Sequence, residues 1–592
     1  MDAIRRWWAH VAAFVVDNFA ALTGFYYSKK YTAILKRLGL RPQAAQDTAE
    51  PGLIIVQIDG LAHEHLLQAM DHRSMPSIKR MLRRSGFVLS PWRSGLPSTT
   101  PAAQAGIMYG NNEGIPAFRW YDKARGASIV LKQPRAVIAL QERLARNKPG
   151  ILRAGSSYVN LFDGGAASSL FTLSALRPRR FFEGVRGIGF VTLFLLNPLR
   201  TLRILSLSIG EYLVDTVQRL SSRLKGQSYL PVLGLFPFLR ILSNVVFREI
   251  ETFAVLLDIY RGVPAIYATY YSYDELAHHF GATSMAAREA LHGIDRCIGQ
   301  IDRLRRAKLT RTYTLCILSD HGLTPAEPFS ERYGQTLGQF IAQQIGRTVL
   351  LAEQADDEHE PMVQMRMLLE EWRAAEKNLA PTASRAARRI RLLVQRRLRS
   401  SNPLPPWDVQ RQQDVVVKNS GSLAHIYFNI AAHRMDLSEI AAAFPELVLR
   451  LLAHEGIWLV VAREGRQTIL MAEDGMLTLD PQGQRHLSGE NPLRRLPDPW
   501  HAAEQIHRLV AFDQSGDLIL FGDYDPATDV VVCFEHQQAS HGGLGGPQDS
   551  PFIIYPRRLG WDITKIRDSR DLYPLLAAQR ALLPNKKTEE KP

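Results

Sequence analysis

From Gly52 the chain reads GLIIVQIDGL, an apolar run closed by Asp-Gly. A run of that length bounded by a turn signal predicts a buried strand that ends in a loop. Comparable runs recur in VPAIYATYYSYDE, TYTLCILSDHG, GIWLVVARE and DVVVCFEH, with helical stretches between them. Strands alternating with helices predict an α/β fold with a central, mostly parallel sheet flanked by helices. Ligands of such sheets bind beyond the carboxyl ends of the strands. Asp59, Asp274 and the pair Asp320–His321 all fall at such ends.

Two segments break the rhythm. Residues 177–262 hold apolar stretches interrupted by proline and arginine, none reaching the ~20 clean residues of a spanning helix. Apolar faces with basic borders suit a helical insertion lying on an anionic membrane; a helical cap on the catalytic core is the equal alternative. Residues 346–411 begin acidic and end in SRAARRIRLLVQRRLRSS, where Ile390, Leu393, Val394 and Leu398 recur at helical spacing. The predicted organisation is therefore an amphipathic helical segment at 1–48, core parts at 49–176, 263–345 and 412–580, the two insertions between them, and a disordered tail at 581–592. The first segment has early arginines and two tryptophans but no cleavage site, which reads as an interfacial anchor or an ordinary packed helix.

Length and charge narrow the picture. With 592 residues and 46% hydrophobic content the chain can bury a sizeable core, which excludes wholesale disorder. The net charge of +14 favours an anionic partner. Cys297, Cys316 and Cys533 form no CxxC, so neither a disulfide framework nor a cysteine zinc site is indicated.

The chemistry lies in scattered side chains: Asp59, the threonines of STTP (Thr99 and Thr100), Asp274 and His278 in YDELAHHFG, Asp320 and His321 in LSDHG, and His541 in SHGGLGG. Each alone is an ordinary turn or surface residue. Together they supply three imidazoles and three carboxylates, a donor set that suits two divalent ions, with zinc preferred and manganese the alternative. Two such ions can clamp an in-line displacement at phosphorus and activate a hydroxyl as nucleophile.

In this order and spacing the residues resemble the metal-site signature of the type I phosphodiesterase/nucleotide pyrophosphatase family, within the alkaline phosphatase superfamily. The resemblance implies an alkaline-phosphatase-like core. It selects Thr99 over Thr100 as nucleophile and ligand, grouping Thr99 with Asp59, Asp320 and His321 around one ion. Asp274, His278 and His541 would hold the other, with His279 and His536 the nearest wrong choices. The chain departs from the pattern after the nucleophile helix: in NNEGIPAFRWYD, Glu113 stands where histidine is usual and Phe118 near the place of a phosphoryl-contacting asparagine. Asn111 and Asn112 are the candidate substitutes for that contact.

The implied activity is hydrolysis of a phosphodiester through a phosphothreonine. The alternatives are a phosphotransferase or phosphomonoesterase of the same superfamily, or a membrane-associated binding protein without turnover. The expected partners are the diester substrate and, peripherally, an anionic membrane. Nucleic acid is disfavoured because the basic stretch lacks interleaved aromatics. The cytoplasm or the cytoplasmic face of a membrane fits the charge pattern, with an extracytoplasmic anchored form as alternative. Oligomeric state stays open.

Overall fold

The computed structural model describes residues 51–84, 86–146, 148–175, 247–306, 311–345, 351–353, 388, 392 and 414–580. The predicted N-terminal helix, most of both insertions and the tail lie outside these residues.

The central sheet has seven strands in the order Phe87–Pro91, Phe552–Pro556, Tyr313–Leu318, Gly52–Ile58, Ala265–Tyr270, Ser156–Tyr158, Ser168–Leu170. Gly52–Ile58 pairs in parallel with a neighbour on each side, and both Ser156–Tyr158 contacts are parallel too. Among the described residues only Phe552–Pro556 runs against the rest, pairing antiparallel with both its neighbours. The GLIIVQI run is buried at every position, as expected for a strand covered on both faces by helices. The fold is α/β, and Asp59, Asp320–His321 and the Asp274 helix follow three adjacent parallel strands.

A second sheet of eight strands was not anticipated. It runs Leu351–Glu353, Val415–Ser420, Leu423–Phe428, Leu518–Gly522, Ile457–Glu464, Gln467–Ala472, Gly475–Leu479, Arg485–Gly489, and is antiparallel apart from its first pair. The run GIWLVVARE, expected in the central sheet, belongs here. Leu459 and Val461 enter one core with the helix Pro499–Val510, while Val460 and Ala462 enter another on the opposite face. Burial on both faces produces the same continuous apolar run that a parallel strand shows, so composition alone could not separate the two cases. The turns could: Glu464 pairs with Gln467 and Ser420 with Leu423, each across a two-residue hairpin containing a left-handed glycine, Gly465 or Gly421. The DVVVCFEH run likewise leaves the central sheet, its strand Val530–Cys533 pairing with Thr324–Pro328 in a four-stranded sheet.

The insertion predicted to extend to 262 ends earlier. Arg248–Arg261 is a helix with Phe253, Val255, Leu257 and Ile259 inside the main core, so the catalytic core resumes before residue 263.

Candidate metal centre and active site

Three parallel strands deliver most of the site. Asp59 follows Gly52–Ile58 directly, and Asp320 and His321 follow Tyr313–Leu318 after one serine. After Ala265–Tyr270 comes the helix Ser272–Phe280, which carries Asp274 and His278 at i and i+4 on one face. His541 arrives from elsewhere. It follows the short strand Ala539–Ser540, which pairs with Pro325 and Thr324 just beyond the Asp320–His321 loop, and a bridge from Ser98 to Gly542 holds its other side.

These side chains converge. Asp59, Asp320 and His321 each offer a ligand atom within 4.8 Å of the others, and so do Asp274, His321 and His541. His278 Nε2 lies 3.2 Å from Asp274 Oδ2, and its ring centroid is 5.1 Å from that of His541. His321 and His541 stack at 3.9 Å. All six predicted protein ligands other than threonine therefore share one cleft, with His321 at the boundary of the two groups.

The second contacts orient the first. His541 Nδ1 bonds the Ser98 carbonyl at 2.8 Å, His278 Nδ1 the Ala539 carbonyl at 2.7 Å, and His321 Nδ1 the Gly322 carbonyl at 3.0 Å. A carbonyl only accepts, so each Nδ1 carries a proton, which leaves Nε2 as the atom each ring would offer a metal. Asp274 Oδ1 and Asp320 Oδ2 are buried with no hydrogen-bond partner. Orphaned carboxylate oxygens beside these imidazoles fit divalent cations, since burial without a partner costs ~1–3 kcal/mol or more. Gly60 completes the cradle: its φ is +70°, and a Cβ there would stand 2.3 Å from Asp274 Oδ1.

The electrostatics agree. Burial opposes charge on Asp274, but His278 and then His541 and His321 overcome it and hold the carboxyl below its usual range. Burial lowers His541, reinforced by its neighbour His321. Burial also works to lower His278, yet Asp274 outweighs it and raises this imidazole. Binding a cation would displace that proton.

The two threonines of STTP are placed differently. Thr99 is the N-cap of the helix Thr100–Tyr109, in extended conformation, and its buried Oγ1 has no hydrogen-bond partner. Thr100, the first helical residue, makes the contacts: its Oγ1 lies 3.3 Å from Asp59 Oδ1 and 3.1 Å from His321 Nε2. Backbone direction changes between the two residues, and the hydroxyl that contacts Asp59 and His321 is that of Thr100.

The asparagines stand farther off. They follow the C-terminus of the Thr100–Tyr109 helix, ten residues long, and at 1.5 Å per residue lie about 15 Å along the axis from Thr100. Asn112 is buried in a network: its amide donates to Asp568 Oδ1 and Ser569 Oγ at 3.2 Å each, and its oxygen accepts from Arg508. Asn111 Oδ1 accepts from Glu113 N in a local turn. Neither side chain joins the ligand cluster. His536 is paired with Glu331 on the surface instead of joining the ligands.

The model of the type I phosphodiesterase / nucleotide pyrophosphatase family matches residues 239–467. No curated protein matches the chain. Among solved structures, phosphonoacetate hydrolase from Sinorhizobium meliloti 1021 in complex with phosphonoformate is similar at 15% identity and TM-score 0.43, covering 90% of this chain and 96% of that one. Murine ectonucleotide pyrophosphatase / phosphodiesterase 5 is similar at 12% identity and TM-score 0.40, covering 90% and 97%. Likeness that distant adds nothing to the family match. That match takes in the helix bearing Asp274 and His278 and the strand end bearing Asp320 and His321, the part of the chain that supplies four of the ligands. Over residues 239–467, less than half of its length, the chain is similar to the type I phosphodiesterase / nucleotide pyrophosphatase family.

Proposed function

We propose that the protein hydrolyses phosphodiesters with Thr100 as nucleophile. Asp59, Asp320, His321 and Thr100 would hold one divalent ion, and Asp274, His278 and His541 the other; mixed N/O donation favours zinc, with manganese the alternative. The observation that carries this reading is the approach of Thr100 Oγ1 to both Asp59 Oδ1 and His321 Nε2, at 3.3 and 3.1 Å. When bound, the ions neutralise phosphoryl charge and lower the pKa of the hydroxyl they touch.

The rest is positioning by the chain. Thr100 opens a ten-residue helix, whose unbonded leading N–H groups and positive dipole end favour a phosphoryl anion there. Asp59 Oδ1 accepts from the hydroxyl and fixes the direction of its lone pairs. Attack of Oγ1 forms the Thr100–phosphorus bond and breaks the bond to the leaving alcohol, which departs with a proton. Water then cleaves the phosphothreonine and restores the hydroxyl. Positioning and charge neutralisation carry such a reaction more than acid–base relay.

The test is acid quench of zinc-loaded protein during turnover of bis-p-nitrophenyl phosphate, followed by peptide mass spectrometry. The expected product is a phosphate on Thr100 that chelation beforehand abolishes. Turnover with no phosphorylated threonine would refute the covalent step.

We further propose a diester substrate at an anionic lipid surface, supported by sequence alone: the arginine-bordered apolar segments within 177–262 and the arginine-rich stretch near 390. No described helix is long and apolar enough to cross a membrane. Flotation with phosphatidylserine vesicles tests this; protein that stays with the soluble fraction at low salt would count against it.

A further inference from the structure

The two groups of ligands are held differently. Asp59, Asp320 and His321 extend directly from core strands. The other group depends on the loop from Phe534 to His541, which both carries His541 and supplies the Ala539 carbonyl that orients His278. That loop also receives His278 from the other direction, since Gln538 N donates to the His278 carbonyl at 2.7 Å. Its conformation therefore sets two of the three ligands of the second ion.

One side chain organises the loop. Glu535 Oε1 accepts from Arg119 Nη1, in a pair whose side chains are 6% and 13% exposed. Glu535 Oε2 accepts from Gly421 N at 3.1 Å and from Gln537 Nε2 at 3.0 Å. Gln537 in turn accepts from Ser540 Oγ at 2.8 Å, next to His541. Gly421, at the tip of the second sheet's hairpin, lies against the His541 carbonyl. A single carboxylate thus ties three elements: the strand Arg119–Asp122 through Arg119, the hairpin tip, and the loop itself.

Resting on the metal-centre reading above, we infer that Arg119 and Glu535 form a positioning pair for the second ion's site, setting the loop that places His541 and orients His278. Neither residue belongs to the two ligand groups. Arg119 fixes where the carboxylate stands, and the carboxylate fixes the loop backbone. Outer contacts of this kind usually change metal affinity 10–100-fold on removal.

The experiment uses the full chain and zinc alone, by equilibrium dialysis of metal-free wild type, Glu535→Gln, Arg119→Ala and Arg119→Lys, with melting of each metal-free protein. Wild type should bind two zinc ions per chain; fewer would sink the metal-centre reading itself, whatever the variants do. Glu535→Gln and Arg119→Ala should keep the first ion and weaken the second 10–100-fold, with metal-free melting near wild type and partial rescue in Arg119→Lys. Retention of both ions at wild-type affinity would overturn the inference. So would parallel loss of both ions with a collapse in melting, which would mark the pair as general structure only.

Discussion

Gly421 and His541 are in direct backbone contact across two sheets: a Cβ on Gly421 would stand 1.8 Å from the His541 carbonyl oxygen. The hairpin tip of the second sheet therefore sets how far His541 reaches into the cleft. Gly542 answers from the other side, where a Cβ would come 2.3 Å from the Ser420 carbonyl. Two glycines let two backbones approach more closely than any side chain permits.

Gly421→Ala should displace His541, and its φ of +65° adds strain of order 1–3 kcal/mol. The expected result is a lower zinc content per chain and a fall in phosphodiesterase rate of about 100-fold, the scale of a 1 Å misplacement. Zinc titration and steady-state rates check it; a variant with full zinc and full rate would show that the hairpin tip does not position this ligand.

Asn112→Ala should act on stability and leave chemistry alone. The substitution strips partners from Arg508 and Asp568, which pair at 3.2 Å, and from the Ser569 hydroxyl. A loss of roughly 1–3 kcal/mol in urea unfolding is expected, with kcat/KM on a small diester within about twofold of wild type. A selective drop in kcat/KM at unchanged stability would restore Asn112 to the substrate.

His425 contributes an acid-sensitive term. Burial holds its imidazole down at about 3, while its ring nitrogens bond Gly516 N and the Pro116 carbonyl. The unfolded chain takes up the proton near pH 6.5 and the folded one does not. Stability from this group is complete above about pH 6.5 and falls as pH drops toward the folded value. Between pH 7 and 5 the wild type should lose roughly 2 kcal/mol more than a folded His425→Gln variant. Equal losses in urea midpoints at the two pH values would contradict this.

Much of the site was legible because chemistry sits where apolar runs stop. Asp59 and Asp320–His321 close buried strands, and the i,i+4 spacing of Asp274 and His278 puts both on one helical face. His541 follows no long strand, and only its place in the family's order marked it. The choice between Thr99 and Thr100 turned on which residue begins the helix, a matter of backbone phase that two adjacent identical residues do not reveal. Asn111 and Asn112 follow the far end of the Thr100–Tyr109 helix, a separation that proximity in sequence does not show. The second sheet went unread because strands buried on both faces look alike whether their neighbours run parallel or antiparallel. The hairpins at Gly421 and Gly465 were the overlooked signal. Arg119 and Glu535, over four hundred positions apart, gave no sequence pattern linking them.

The most direct measurement is the hydrolysis rate of bis-p-nitrophenyl phosphate by zinc-loaded Thr100→Ala beside Thr99→Ala. With Thr100 as the attacking group, Thr100→Ala should lose a thousandfold or more, roughly the size of a deleted nucleophile. Thr99→Ala should stay within about tenfold of wild type, since its Oγ1 makes no hydrogen bond that the substitution would remove. Full activity in Thr100→Ala, or an inactive Thr99→Ala that still folds and binds both ions, would contradict the account.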